Sequence, residues 1–270
     1  MGSWAKGLFG KENFEDIGIV LAGTNTKVEK EILKLFDEVI NSNDSVYHGH
    51  LVKKNNKEYP LVTNVYGAPA MLDSLSEMFD GGCRNIIFIG YAYGGFTNLE
   101  VGSIVIPKES YHFDGIYHKI EPDRKTSSPD KELKEKVESI FKKNNIKYFE
   151  GINISVPAVT FQLPHYNKEY LEIKPATVEM ELAACLSRAK DIGIRAVGIL
   201  IISDNKKSSI NDNEKKILKY NVKINVLRTI IENLDQFKLE KLKIIKEFSI
   251  NEYLASIIHD PKDITNVYKK

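Results

Sequence analysis

The stretch AVGILIISDN, residues 196–205, runs six apolar residues and one glycine together before a serine and an aspartate. A segment of that length with no polar face reads as a buried strand. Other short apolar runs, DIGIVLAG (16–23), NIIFIGYA (85–92) and IKYFEGINISV (146–156), alternate along the chain with amphipathic stretches. That alternation predicts an α/β fold.

Between the strands, Val28, Ile32, Leu33, Leu35, Phe36 and Ile40 form a stripe that predicts a helix over 27–40. The segment around YHGHLVKKNNKEYPLVTNV reads as a hairpin turning at Asn55 and Asn56. Helices are expected from Pro69 to Phe79, after Pro129, within TVEMELAACLSRA, and from Asn213 to Leu234, and a β-rich stretch begins near Glu100. No repeat, low-complexity tract or Pro/Ser-rich linker interrupts residues 16–235, so a single domain over 1–235 is expected, followed by a short helical C-terminal extension over 236–270.

The 38 basic and 37 acidic residues leave a net charge of +1, which gives no electrostatic reason to expect nucleic acid. The opening MGSWAKGLFGKENFEDIG carries no apolar run of a signal peptide's length, and no segment is long enough to span a bilayer, so no membrane association and a cytoplasmic location are expected. Cys83 and Cys185 lie in apolar surroundings without metal spacing and read as reduced core thiols. The six histidines make no HxxxH or HExxH pattern, so no metal is expected. His48 and His50 share one side of a strand, where they could fill a substrate or metal role, though two surface histidines is the preferred reading.

Glycines cluster at strand ends, at Gly23 and at Gly90, Gly94 and Gly95, where backbone N–H groups can approach an anion. Neither place forms a dinucleotide or Walker loop, and tight turns explain them equally well. Asp204 ends the most apolar strand, at the edge where α/β proteins bind ligands, and is either a general acid or a cap. Glu179 and Glu181 sit in an otherwise buried helical segment. Two residues apart, they cannot share a helix face, so one is expected to cap the helix start while the other points into a cleft.

VEMELAACLSRAKDIGIRAVGILIISDN (178–205) resembles the family 1 nucleoside phosphorylases, which include hexameric purine nucleoside, uridine and methylthioadenosine phosphorylases. The resemblance spans about residues 16–235, with support from Gly23, from IFIGYAYGGF and from LEVGSIVIP. It implies a central mixed, twisted β-sheet flanked by helices, and a homo-oligomer, trimeric or hexameric. Phosphate is implied as co-substrate, with no cofactor. The VEME segment supplies the sugar site, Glu179, Met180 and Glu181, with Glu181 on the ribose 2′- and 3′-hydroxyls. Asp204 would protonate N7 of a leaving purine, and Phe161 would lie against the base. No Gln-x-Arg uracil motif follows Phe161, which favours purine.

The phosphate-binding motifs depart from the family pattern. GTNTK stands for GDPxR, leaving Gly23 and Lys27, while the third motif keeps Gly94 but has Phe88 where arginine belongs. No arginine precedes Arg84, so none of the three usual phosphate arginines is present. Lysine binds phosphate as a point charge and cannot reproduce arginine's bidentate fork. Three functions therefore compete: phosphorolysis of a purine nucleoside, binding without efficient catalysis in a paralogue, and phosphate-independent hydrolysis, which ranks lower because AGTNTK offers no acid to activate water.

Overall fold

The computed structural model describes residues 3–94, 97–162, 168–208 and 213–237, together with 239, 240 and 242. Ten strands are present in chain order: β1 (Ile17–Ala22), β2 (Glu38–Asp44), β3 (His48–Lys54), β4 (Lys57–Val65), β5 (Asn85–Tyr93), β6 (Ile104–His112), β7 (Thr126–Ser127), β8 (Phe149–Ser155), β9 (Thr177–Glu179) and β10 (Arg195–Asp204). The helices are α1 (Trp4–Phe9), α2 (Thr26–Leu33), α3 (Gly67–Asp80), α4 (Tyr117–Ile120), α5 (Lys131–Lys143), α6 (Glu169–Ile173), α7 (Leu182–Asp191) and α8 (Asn213–Glu232).

The strands form one mixed sheet, as expected, in the order β10-β6-β8-β9-β5-β1-β4-β3-β2, with β7 paired off this path to β6 and a further β10–β5 pairing that closes five of them into a ring. β10 is the clearest case of sequence dictating placement. Val197, Ile199 and Ile201 enter one core, while Ala196, Leu200 and Ile202 enter the other. Helices α1, α3 and α7 cover the second face, and α2, α5 and α8 cover the first, so no polar side is needed. Gly198 exists for close approach: a Cβ there would lie 2.4 Å from Leu182 Cδ1, at the start of α7.

The hairpin turns where expected, with Asn55 and Asn56 at φ 50° and 61°, the double left-handed pair of a two-residue turn. Two expectations are corrected. The helix predicted over 27–40 stops at Leu33, and Glu38–Asp44 instead forms the edge strand β2 on β3. Asn41, Ser42, Asn43 and Asp44 are weak helix formers, and a strand partner was available. Val39 and Ile40, about 40 % exposed, bury little by either choice.

TVEMELAACLSRA opens as strand, not helix: Thr177–Glu179 pairs with β8 and β5, and α7 begins only at Leu182. Both cysteines are buried free thiols. Apart from Gln236 and Phe237, which end a short 3-10 turn, and residues 239, 240 and 242, the expected C-terminal extension lies outside the described residues. Among those described, no helix is long and apolar enough to cross a membrane.

Candidate active site

Register brings the two acidic segments to one residue of β5. Tyr93, the last residue of β5, is opposite Asp204 on β10 and opposite Val178 on β9. Both acidic segments therefore leave the sheet at one edge, on either side of one tyrosine.

Glu179 is the cap. Its Oε2 accepts from the N–H groups of Glu181 and Leu182, each 2.7 Å away, at the start of α7. Its Oε1 accepts from Asn153 Nδ2 at 2.7 Å and from the Ser155 hydroxyl. Four protein donors occupy this carboxylate, so Glu179, grouped from sequence with the sugar-binding residues, acts on the site by fixing the loop that carries Glu181.

Glu181 is equally buried but less well supplied. Oε1 accepts from Gly67 N at 2.6 Å, at the N-terminus of α3, and Oε2 lies 3.3 Å from Met180 N. Burial, then the neighbouring Glu179 charge, pushes its pKa up to about 8. Burial raises the pKa of Glu179 as well, against the lowering effect of its four donors, so the two carboxyls titrate as a pair. Gly67 has φ +80°, a conformation that favours glycine and aims its N–H at the carboxylate. Met180 packs with Ile154, Val156, Tyr170 and Val178.

Asp204 is half-buried, and burial raises its pKa against the lowering effects of Ser203 and Lys219. Ser203 Oγ contacts Asp204 Oδ1 and also lies 3.2 Å from the Ala92 carbonyl oxygen. One hydroxyl proton cannot serve both acceptors. When Ser203 donates to Asp204 it favours the ionised carboxylate, and when it turns to Ala92 O that support is lost and burial favours the protonated form.

Helix α8 contributes two residues that sequence reasoning missed. Lys219 Nζ donates to Ser203 O at 3.3 Å, and Lys223 Nζ donates to Ala22 O at 3.0 Å and Thr24 Oγ1 at 3.2 Å. Both ammonium groups approach the Tyr91 ring, at 5.6 and 4.5 Å from its centroid. Burial lowers both pKa values, that of Lys223 to about 7, opposed by Asp204 at Lys219 and by Glu181 at Lys223. The signal was available: positions 219, 223, 226, 227 and 230 form one stripe at helical spacing, and lysine occupies its first two places on the buried face.

A cavity of about 660 Å³ opens beside these lysines, lined by Gly23, Asn25, Lys27, Glu31, Tyr91, Lys216, Lys219 and Tyr220, among others. Lys27 is thus placed on it, whereas neither Glu181 nor Asp204 is among its lining residues. The glycines do not offer the expected anion-binding amides: Gly23 N donates to Val65 O at 3.3 Å and Gly94 N to Asp204 O at 2.9 Å. Gly94 instead avoids a clash, since a Cβ there would lie 3.0 Å from Ile202. Phe161 ends a 3-10 turn and is 43 % exposed.

A doubly covered mixed sheet with acids and lysines at one edge is the α/β architecture that binds small molecules at its strand ends. The particular family follows from comparison. Residues 23–233 match the phosphorylase superfamily, and the chain belongs to it. Its fold is similar to that of Campylobacter jejuni 5′-methylthioadenosine/S-adenosyl homocysteine nucleosidase, with TM-score 0.69, 16% identity, and 81% of this chain and 99% of that one covered. Purine nucleoside phosphorylase from Toxoplasma gondii, solved with immucillin-H, matches with TM-score 0.70 and 15% identity over 85% and 99% of the two chains. A Helicobacter pylori futalosine hydrolase mutant matches with TM-score 0.67 and 15% identity over 82% and 100%.

Proposed function

We propose that this protein cleaves the N-glycosidic bond of a purine nucleoside with inorganic phosphate as nucleophile. The observation that supports this reading is the placement of two lysines of one helix at the strand ends that carry the acids. Lys219 grips the carbonyl of Ser203, next to Asp204, and lines the cavity, while Lys223, one turn further along α8, is buried on the Ala22 carbonyl. In this reading Glu181, ionised by its diol partners, holds the ribose hydroxyls and stabilises positive charge on the sugar as the bond breaks. Asp204 delivers its proton to the departing base. Phosphate enters the cavity, where Lys27, Lys216 and Lys219 supply the positive charge that no arginine of the first 83 residues can.

The test is base release from inosine, adenosine and guanosine, with and without phosphate. Release that requires phosphate, with ribose 1-phosphate as co-product, is expected. Release independent of phosphate would replace this reading with hydrolysis, a chemistry named for two of the structural neighbours. Nucleoside binding without turnover would replace it with a non-catalytic paralogue.

A further inference from the structure

A second cluster of reactive side chains lies between α2 and the β2–β3–β4 hairpin, on residues the reading above leaves unused. His48 and His50 alternate on β3, whose backbone is paired on both sides, so their rings project from one rigid face. Glu29, on α2, reaches across to them. His50 is 1 % and Glu29 6 % exposed, so the sequence-based reading of His48 and His50 as surface residues is corrected for His50. The expectation of no metal followed from motif spacing along the chain, and this cluster joins two elements through space.

The donor atoms converge. His48 Nδ1 is 2.7 Å and His50 Nε2 3.8 Å from the same oxygen, Glu29 Oε2, and all three ligand atoms lie within 4.8 Å of one another. A tetrahedral ion with bonds of about 2.0–2.2 Å needs its donors about 3.4 Å apart. The 2.7 Å separation must therefore widen and the 3.8 Å one shrink by less than about 1 Å, and the His48–His50 one, at most 4.8 Å, close by up to about 1.4 Å, within reach of side-chain rotation. The surroundings also prepare the ligands. Ser42 Oγ, 2.8 Å from Nδ1, holds the His50 ring with Nε2 on the Glu29 side, where Thr63 Oγ1 lies 3.2 Å from Nε2 and donates to Glu29 Oε2; an ion would take the place of Thr63 between them. Access exists on the His48 side: its side chain is 16 % exposed, and the exposed Asp44 carboxylate stands 3.8 Å from its Nδ1.

We infer that Glu29, His48 and His50 form a binding site for a divalent transition-metal ion of the zinc class. Two imidazoles and one carboxylate suit Zn²⁺, Co²⁺ or Ni²⁺ far better than Mg²⁺ or Ca²⁺. The fourth position is left to water or Asp44. Binding displaces the proton that His48 Nδ1 shares with Glu29, and it ties α2, whose N-terminal loop borders the active-site cavity, to the hairpin.

The test uses the full chain, stripped with chelator and titrated with Co²⁺, then with Zn²⁺ against a chromophoric chelator. One equivalent of Co²⁺ should give the intense visible bands of a four-coordinate ion, and Zn²⁺ should erase them. Zn²⁺ at a hundredfold excess over its Kd should raise Tm by about 5–10 °C. His48→Ala and Glu29→Gln should each weaken Zn²⁺ binding at least tenfold, and Ser42→Ala, which removes no ligand, about 10–100-fold. Wild-type protein that takes up no stoichiometric Co²⁺ or Zn²⁺ overturns the inference and leaves a hydrogen-bonded cluster only. So does Zn²⁺ affinity unchanged in all three variants.

Discussion

Glu181→Gln should make the protein more stable and nearly inactive at once. The wild-type carboxyl has its pKa raised from 4.5 to about 8 by burial and by Glu179. At pH 7 the unfolded chain has this group ionised and the folded chain has it protonated, so folding must take up a proton. That gap of about 2.5 pH units, at about 1.4 kcal/mol each, costs about 3 kcal/mol. Glutamine escapes the cost, its carbonyl can still accept from Gly67 N, and its amide can donate towards Glu179. The sign follows from proton counts. Because the folded pKa is raised, wild-type stability from this group is full below pH 4.5 and is lost as pH climbs through 8. The variant should match wild type below pH 4.5, exceed it by about 1 kcal/mol at pH 5 and about 3 kcal/mol at pH 7, and exceed it by roughly 5 kcal/mol well above pH 8. At pH 7 its Tm should rise by about 6–12 °C. On the proposed function it also loses two charge-assisted bonds to the sugar, about 1.5–3 kcal/mol each, so kcat/KM should fall roughly 10²–10⁴-fold. Urea unfolding at pH 5 and 7, with steady-state phosphorolysis, reads both effects. A variant less stable than wild type at pH 7, or a stability difference identical at both pH values, would refute the reasoning.

Asp204→Asn should lower kcat by about 10²–10⁴ with little change in KM, and least for nucleosides whose base leaves easily. Since burial raises the Asp204 pKa, wild-type kcat should decline as pH rises through it, and a pH profile of the asparagine variant should lack that limb. Lys219→Met removes an influence that lowers the Asp204 pKa, so the same limb should move to higher pH while KM for phosphate rises at least tenfold. An unmoved limb and an unchanged phosphate KM would dissociate Lys219 from both groups. Asn153→Ala strips one donor from Glu179 and leaves Ser110 and Thr177 short of a partner, so urea unfolding should show a loss of about 2–4 kcal/mol. A loss under about 1 kcal/mol would mean that Ser155 and the α7 amides suffice.

What could be read from the chain and what could not divide along physical lines. β10 declared itself because residues 196–202 alone demand cover on both sides. The Asn55–Asn56 turn declared itself because few other pairs tolerate its backbone. The helix ending at Leu33 was illegible because no glycine or proline stops it, and β2 forms only when β3 is present to pair with it. The division of labour between Glu179 and Glu181 was half legible. Spacing predicted one cap and one cleft acid, but deciding which needed Asn153 and Ser155, more than 20 residues away. Lys219 and Lys223 were passed over because lysine on a helix normally faces water. The burial of His50 depends on α2 lying over the hairpin, which no local pattern encodes.

The exchange of arginine for lysine changes how an anion site would behave as well as how strongly it binds. Arginine stays charged in any protein environment, so a cavity lined by it attracts phosphate at every working pH. Burial lowers the Lys219 pKa, and that of the adjoining Lys223 falls to about 7, so the charge on Lys223 is conditional near neutral pH. A phosphate placed beside Lys219 adds opposite charge and holds its proton more firmly. On the proposed function, phosphate affinity should weaken as pH rises towards the lowered Lys219 pKa, at a lower pH than arginines would allow. The same proton sits one residue contact from Asp204, through the Ser203 carbonyl that Lys219 grips. Phosphate binding and the readiness of the general acid become linked through one helix, a coupling that always-charged arginines could not provide.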